Sequence, residues 1–225
     1  RMRATIELAI GGWAFAILLG IPTGVFAAVK RGTFWDYIAR GVAIVGQGAP
    51  PFVIGLLLIV IFAVWLQDTP FYLPAAGRPP QFDFRNYILP CIALGWPAAA
   101  GLMRLTRSAM LEVLDSEFVK LARAKGVGWN KVIYKHALKN ALITPLTSAL
   151  LLFSGWLNGA LVIEIIFGWP GIGYDALFTA VNDNDFPLLQ GTVFFFVIIF
   201  VIFALLADLL YTIIDPRVRL TGGEK

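Results

Sequence analysis

Long runs of apolar residues, separated by shorter polar connections, dominate the chain. Five runs have or approach the length of about 20 residues that an α-helix needs to cross a bilayer: 6–29, 42–66, 88–105, 145–167 and 188–214. The third is short and contains two prolines, but omitting it would place the next connection on the wrong side of the membrane. Because lipid offers no hydrogen-bond partners to the backbone, the pattern predicts an all-α, polytopic bundle of about five transmembrane helices.

The composition supports lipid as the solvent of this fold. Hydrophobic residues make up 59% of the 225 positions and charged residues 14%, whereas ordinary globular chains carry about 25% charged residues. A single cysteine, Cys91, excludes a disulfide framework within the chain. With His136 as the only histidine, too few soft ligands remain for a zinc or iron–sulfur site. We therefore expect no metal and no cofactor.

Lysines and arginines are concentrated in alternate connections. The first and third connections and the tail contain Lys30, Arg31, Arg40, Arg104, Arg107, Lys120, Arg123, Lys125, Lys131, Lys135, Lys139, Arg217, Arg219 and Lys225. The second connection has two arginines offset by two aspartates, and the fourth has three aspartates and no cation. Because cytoplasmic loops retain Lys and Arg, the cation-rich connections are predicted to lie inside and the amino end of the chain outside.

The third connection, residues 111–144, is predicted to form a basic helix-turn-helix, which we call the hairpin. Gly126 is the predicted helix stop, and the second helix restarts near Trp129 or Asn130. The apolar face of the first helix is predicted to be Leu111, Leu114, Phe118 and Leu121, and that of the second Val132, Ile133, Ala137 and His136. A basic loop resting on anionic headgroups would explain the charge but not the glycine turn between two helices.

The stretch LARAKGVGWNKVIYKHALKNAL resembles the cytoplasmic loop of the inner-membrane permeases of binding-protein-dependent ABC importers, in the dipeptide and oligopeptide class. The match is good through 122–126 and 136–141, with Gly126 at the family's glycine. The chain departs from the general importer pattern at Lys120, Leu121, His136 and Lys139. In that family the loop inserts into a cleft on a separate ATPase subunit.

Two further stretches strengthen the resemblance. EIIFGWPGIG, at 164–173, is similar to the Glu-x-x-Phe-x-x-Pro-Gly-x-Gly segment of these permeases, and DLLYTIIDPR, at 208–217, resembles their closing segment. The resemblance covers 3–219, so residues 1–225 are expected to be a permease domain that lacks the family's first transmembrane helix. It implies a multi-pass protein of the cell inner membrane.

The resemblance also implies site residues and partners. ATPase coupling falls to Phe118, Leu121, Ala122, Arg123, Ala124, Lys125, Gly126, His136, Ala137, Leu138 and Asn140. An outer gate, or a contact with the binding protein, falls to Glu164, Phe167, Trp169, Pro170, Gly171 and Gly173. The implied partners are a second, similar permease subunit that differs in sequence, two cytoplasmic ABC ATPase subunits, an extracytoplasmic substrate-binding protein and the lipid bilayer, but no nucleic acid.

We expect no catalytic activity in this chain. It has no phosphate-binding Gly-x4-Gly-Lys-Ser/Thr loop and no Ser-His-Asp or His-Glu-x-x-His grouping, so it is predicted not to be an enzyme, and ATP is hydrolysed by a partner chain. Charged groups in spans are costly and suggest function: Glu164 lies near the outer end of the fourth span and Asp208 within the fifth. For Glu164 a role in the pathway competes with a carboxylate held by nearby backbone amides. For Asp208 a structural partner on another helix is expected.

Several alternatives stay open at this stage. An unpowered channel or ion-coupled carrier would place more ionisable groups at mid-membrane, and an intramembrane enzyme would need a paired nucleophile and base. Members of the resembling class transport di- and oligopeptides, nickel chelates, glutathione or oligosaccharides. The small-residue pairs Gly20–Gly24 and Gly155–Gly159 indicate close helix packing, either within one bundle or between subunits.

Overall fold

The computed structural model describes residues 1–75 and 77–214, and all regular structure in that part of the chain is helical. The predicted all-α architecture is therefore confirmed. The α-helices are α1 (Met2–Val29), α2 (Phe34–Gly48), α3 (Pro51–Leu58), α4 (Phe84–Leu114), α5 (Glu117–Ala124), α6 (Trp129–Lys131), α7 (Leu138–Ala141), α8 (Ile143–Phe167), α9 (Thr179–Asn182) and α10 (Phe186–Ile214). Wider π-helical turns occupy Ile59–Trp65, Val132–Ala137 and Gly173–Phe178.

Within the described residues, three helices are by themselves long and apolar enough to cross a membrane: α1, α4 and the Phe186–Leu206 part of α10. The fourth predicted span corresponds to α8, which is 25 residues long and starts two residues before the predicted position. Helix α4 has 31 residues and contains both Pro90 and Pro97, so it extends well beyond the predicted limits of 88–105. Its additional turns lead directly into the hairpin.

The prediction of one helix over 42–66 was wrong. The structure divides this region into α2 and the α3–π segment, which meet at an angle of 106°. Pro50 cannot continue a helix, and it restricts Ala49 to an extended conformation, with φ −102° and ψ 132°. Pro51 then occupies the first position of α3, where its missing N–H costs nothing. The apolar pattern continues across Ala49 and Pro50, so hydropathy alone did not predict the break.

Helices α1 and α4 pack closely along most of their length through glycines. A Cβ added to Gly20 would lie 2.6 Å from the carbonyl oxygen of Ala99, and one added to Gly24 would lie 2.6 Å from that of Met103. Only glycine, which has no Cβ, allows the two helices to approach this closely. The predicted small-residue face at Gly20 and Gly24 therefore packs within the bundle, whereas the packing at positions 155 and 159 lies outside the described residues.

Two apolar clusters occupy opposite ends of the bundle. The first joins the start of α1, α3, the start of α4 and the end of α8, and it contains Leu8, Leu89, Ile163, Phe167 and Trp169. The second joins the end of α1 and the end of α4 to the hairpin, and it contains Val25, Ala28, Met110, Ile133, Ala137 and Ala141. The hairpin and the segment at 164–173 are therefore each packed against a buried apolar cluster.

Candidate functional site

The hairpin turn is closed by a pair of backbone hydrogen bonds around a glycine. Gly126 has a φ of +80°, a left-handed conformation that residues with a Cβ adopt at a cost. Its N–H donates to the carbonyl oxygen of Arg123 over 2.9 Å, and the N–H of Val127 donates to that of Ala122 over 3.2 Å. This is the Schellman arrangement that ends many helices. The predicted helix stop at Gly126 is confirmed.

One face of the hairpin is buried against the ends of α1 and α4. Val119, Val132, Ile133, Ala137 and Ala141 are almost completely inaccessible to solvent. The burial of Val132, Ile133 and Ala137 agrees with the predicted apolar face of the second helix, and His136 beside it is half-buried. For the first helix the predicted face was wrong in part, because Val119 is the residue of α5 that packs inward.

The opposite face exposes large apolar side chains. Phe118 is 46% exposed, Leu121 56%, Trp129 45% and Tyr134 65%. The predicted continuous face through Leu111, Leu114, Phe118 and Leu121 is therefore split, because the first two pack partly against the inner cluster and the last two do not. The turn at Asp115 and Ser116 separates α4 from α5 and rotates the second pair away.

The remaining coupling residues predicted from the resemblance are gathered around this exposed face. Arg123, Ala124, Lys125, Gly126 and Asn140 are exposed, Ala122 and Leu138 are half-buried, and Ala137 is buried beneath them. The guanidinium of Arg123 stacks 5.1 Å from the centre of the Trp129 ring, which joins the two arms of the hairpin. The side-chain amide of Asn140 donates to the carbonyl oxygen of His136 over 2.9 Å.

Exposed basic residues surround the apolar face. Lys120 forms an ion pair with Glu117 over 2.8 Å. The hydrogen bond that the Lys120 ammonium donates to that carboxylate raises the pKa of Lys120. Because the group was already protonated at neutral pH, the raised pKa keeps its charge in place. The hairpin thus presents an apolar patch within a cationic surface.

A buried ion pair beside the hairpin was missed by the sequence analysis. The carboxylate of Asp36 accepts two hydrogen bonds from the Arg107 guanidinium, each 2.8 Å long, and a third from the N–H of Gly32 over 3.0 Å. Arg40 approaches the same carboxylate at 3.4 Å, and Asp36 itself is completely buried. Asp36 and Arg107 lie 71 positions apart, so the sequence gives no local sign of this pairing. A fully buried acid needs such partners.

At the other end of the bundle, the segment after α8 folds back over Glu164. Oε2 of this buried carboxylate accepts the N–H of Gly173 over 2.7 Å and that of Tyr174 over 3.2 Å. A Cβ on Gly171 would overlap the carboxyl group. The structure thus corresponds to the alternative in which backbone amides hold Glu164. The reversal begins at Gly168, which adopts a left-handed φ of +58° at the end of α8.

This returning segment is fixed to the start of α1. The indole N–H of Trp169 donates to the carbonyl oxygen of Ala4 over 2.9 Å, and the N–H of Ile172 donates to the hydroxyl of Thr5 over 3.0 Å. Of the six residues predicted for the outer gate or binding-protein contact, Glu164, Phe167, Trp169, Gly171 and Gly173 are buried and Pro170 is half-buried. The structure brings all six together with their backbone turns closely packed.

The loop between the π-helical turn Ile59–Trp65 and α4 is attached to the same region. Arg78 donates to Glu7 through Nε over 2.8 Å, and the hydroxyl of Tyr87 donates to the same carboxylate over 3.0 Å. The hydrogen bond that Arg78 donates to Glu7 raises the pKa of the Arg78 guanidinium. The sequence analysis noted Arg78 only as a charge. The side chain of Asp208 and the closing segment from residue 215 onwards lie outside the described residues.

A bundle of apolar helices with a protruding basic hairpin defines an integral membrane protein with a docking element. A family model described as the binding-protein-dependent transport system inner membrane component matches residues 20–220. The chain therefore belongs to this family and is the permease component of an ABC importer. It is a transporter subunit and not an enzyme. Membership implies ATPase and substrate-binding-protein partners.

Similar curated proteins are peptide permeases. The dipeptide transport system permease protein of Alkalihalophilus pseudofirmus is 41% identical, with 97% of this chain and 72% of the relative covered. Its counterpart in Escherichia coli K12 is 36% identical, with coverages of 97% and 71%. A putative peptide transport system permease protein of Brucella abortus is 39% identical, with coverages of 97% and 70%.

Solved structures of ABC transporters share the fold. A chain of the MetNI methionine ABC transporter, in an inward-facing conformation, superposes with a TM-score of 0.71 at 15% identity, covering 94% of this chain and 93% of that one. A chain of an amino acid ABC transporter crystallised with histidines superposes with a TM-score of 0.67 at 16% identity, covering 93% and 90%. At these identities the likeness is one of fold.

Proposed function

We propose that this chain forms half of the translocation pathway of an ATP-driven peptide importer in the cell inner membrane. A second, similar permease subunit completes the pathway, two ABC ATPase subunits drive it, and an extracytoplasmic binding protein delivers the substrate. The peptide class is supported by relatives at 36–41% identity that carry the names of dipeptide permeases. The basic composition of the hairpin supports its cytoplasmic placement.

The observation that carries this proposal is the apolar patch on the hairpin. Phe118, Leu121 and Trp129 are exposed, although the hairpin has a complete buried base formed by other residues. Packing within the chain therefore does not account for them. Aromatic and aliphatic side chains in a protruding patch with a polar rim are typical of the anchors that fill a cleft on a partner protein.

The base of the hairpin supports transmission of force from that partner to the bundle. Met110 of α4 and Val25 of α1 are buried against Ile133 and Ala137 of the hairpin. Because packed interiors deform little, a displacement of the hairpin moves the ends of α1 and α4 with it. At the other arm, α7 leads within two residues into α8. The hairpin is thus continuous with the helices that form the pathway.

For the opposite end of the bundle, we favour the gate over a contact with the binding protein. Glu164, Trp169 and Gly171 are buried, and buried groups do not meet a docking protein directly. Their backbone turns close over the end of α8 and are fixed to α1 by Thr5. Broken helical structure at such a depth is tolerated where it is enclosed in protein or lines a watery cavity. A closing element is consistent with both observations.

The test is copurification of the permease with its cognate ATPase subunits. Replacement of Leu121 by aspartate places a charge in the centre of the apolar patch without touching the buried base, so we expect the recovered ATPase to fall about tenfold or more. Phe71→Asp is the matched control, because Phe71 is 70% exposed at the opposite end of the bundle. Equal recovery with both variants would contradict the docking role of the hairpin.

A further inference from the structure

We propose that the buried ion pair of Asp36 and Arg107 is the positioning contact that carries movement of the hairpin to α2 and sets the amount of transport per ATP hydrolysed. This inference rests on the proposed function, in which the hairpin receives the force from an ATPase. It concerns residues outside the motifs that resemble the permease family. Its basis is the geometry of three elements that meet beside the hairpin: the turn after α1, the start of α2 and the end of α4.

The contact has the geometry of a rigid joint. Both carboxylate oxygens of Asp36 face the planar guanidinium of Arg107, at 2.8 Å from Nε and 2.8 Å from Nη2. Such a bidentate pair fixes orientation as well as distance. Asp36 is completely buried, so water does not compete for the carboxylate. The N–H of Gly32 completes the site and includes the α1–α2 turn in the same joint.

Arg107 links this joint to the hairpin through a single turn of α4. Residues three apart in a helix lie on neighbouring positions of its surface, so Arg107 and Met110 move together. Met110 is fully buried in the cluster that also contains Ile133 and Ala137 of the hairpin. A displacement of the hairpin therefore reaches Arg107 through direct contacts between buried side chains. From Arg107 it passes to Asp36, in the first turn of α2.

Along the rest of its length, helix α2 is attached to its neighbours by apolar packing, which includes a close approach of Gly46 to the Trp96 ring. It meets α4 through small or apolar residues such as Ala39, Ala43 and Met103. Its remaining apolar residues, among them Ile44 and Val45, are exposed on the surface of the chain. In lipid no hydrophobic force holds such a helix to its neighbour, so polar contacts have a larger share in fixing its position. The ion pair therefore determines whether α2 follows α4 or lags behind it.

Helices α2 and α3 form a sharp bend at Ala49 and Pro50, which we call the elbow. The two arms meet at 106°, and α3 packs against α4 and α8 near the opposite end of the bundle. Movement of α2 thus changes the position of an element that connects the hairpin end to the end where Glu164 lies. Movement transmitted by the ion pair can thereby reach both ends of the translocation pathway. A merely structural pair would contribute to assembly and leave the transport yield per ATP unchanged.

The test uses the complete transporter, with both permeases, the ATPases and the binding protein, in proteoliposomes. The double variant Asp36→Asn/Arg107→Met removes both charges of the pair, so neither partner is left as an unpaired buried charge. Arg40 also loses its carboxylate, but its side chain is 40% exposed and can be solvated. We expect it to assemble and to retain ATP hydrolysis stimulated by loaded binding protein. Transport of a radiolabelled dipeptide per ATP hydrolysed is expected to fall about fivefold or more.

The matched control is Arg31→Gln, which removes an exposed ion pair with Asp115 between the same two regions of the chain and leaves the hairpin sequence unchanged. Exposed pairs contribute little, so transport per ATP is expected to stay within about twofold of the wild type. Arg107→Lys is the second variant, since it keeps the charge but loses the bidentate geometry. It is expected to lower transport per ATP.

Normal transport per ATP in either assembled variant would overturn the positioning role. Failure of both variants to assemble would also overturn it, because the pair would then act in folding alone. A wild-type transporter without stimulated hydrolysis would contradict the proposed function instead. The two ideas therefore fail in distinguishable ways.

Discussion

At the scale of single residues, two glycines of the hairpin distinguish two reasons why a position needs glycine: a left-handed backbone conformation and a lack of space for a Cβ. Gly126 has a left-handed φ of +80°, whereas Gly128, two residues later, has φ −58° and ψ 144°, which any residue can adopt. A Cβ would meet nothing within 4 Å at either position. Crowding is therefore not the reason for glycine at Gly126. The requirement there is purely one of backbone conformation.

This difference leads to a prediction for a β-branched residue at the two positions. Gly126→Thr forces a residue with a Cβ into left-handed geometry, at a cost of about 1–3 kcal/mol, and strains the turn that orients Leu121 and Trp129. We expect hydrolysis by the assembled transporter to be uncoupled from dipeptide transport. Gly128→Thr has the same added volume and is a good N-cap, so it should transport normally. Normal coupling in Gly126→Thr, measured as dipeptide per ATP, would contradict this account.

At the scale of secondary-structure elements, the α1–α4 pair forms the frame to which the other helices attach. Gly24 of α1 meets the carbonyl oxygen of Met103 and the Cβ of Thr106. Both obstacles are backbone or β-branched atoms that cannot rotate away. Gly41 of α2, in contrast, has open space where its Cβ would lie. The two glycines therefore test close packing against helix propensity in one molecule.

We expect Gly24→Val to separate α1 from α4. Overpacking of this kind costs about 1–3 kcal/mol, and more where the neighbour is backbone. The measurement is the thermal unfolding midpoint of the purified permease in detergent, which should fall. Gly41→Val adds the same side chain at an open helical position, where valine has a better helix propensity than glycine, so its midpoint should not fall. A normal midpoint for Gly24→Val would show that the glycine contact is not required.

Local patterns in the sequence predicted the elements that obey a single local rule. The stop at Gly126 and the burial of Val132 and Ile133 follow from turn chemistry and helical periodicity. The elbow at Pro50 escaped prediction because apolar character continues across the break. The inward face of α5 escaped because an eight-residue helix fits several faces, and packing selected Val119.

At the same scale, contacts between distant segments were outside the reach of a single sequence. The Asp36–Arg107 pair and the Arg78–Glu7 pair each join residues 71 positions apart. The sequence placed Arg107 and Arg78 only among the cations of two connections, and it indicated nothing for Asp36 or Glu7. Chain topology brought them together, and for the fully buried Asp36 burial then made the pairing necessary.

At the scale of the whole molecule, charged contacts are divided between the two ends of the helical bundle. One end carries the hairpin and the Asp36–Arg107 pair, and the other carries the Arg78–Glu7 pair and the segment that covers Glu164. The connections at the hairpin end hold most of the lysines and arginines. Because cations are retained on the cytoplasmic side, we propose that the hairpin faces the ATPase and the segment over Glu164 faces outward.

This orientation predicts which sites react with a membrane-impermeant maleimide. Trp129→Cys places a thiol on the exposed surface of the hairpin, and Phe71→Cys places one on an exposed loop at the opposite end. In intact cells or spheroplasts we expect labelling of position 71 and not of position 129. In inverted vesicles from cells that lack the ATPase subunits, which would otherwise cover the hairpin, we expect the reverse. The wild type supplies the background, because its single cysteine, Cys91, is buried. Labelling of position 129 from outside would place the hairpin away from the ATPase and remove the physical basis of coupling.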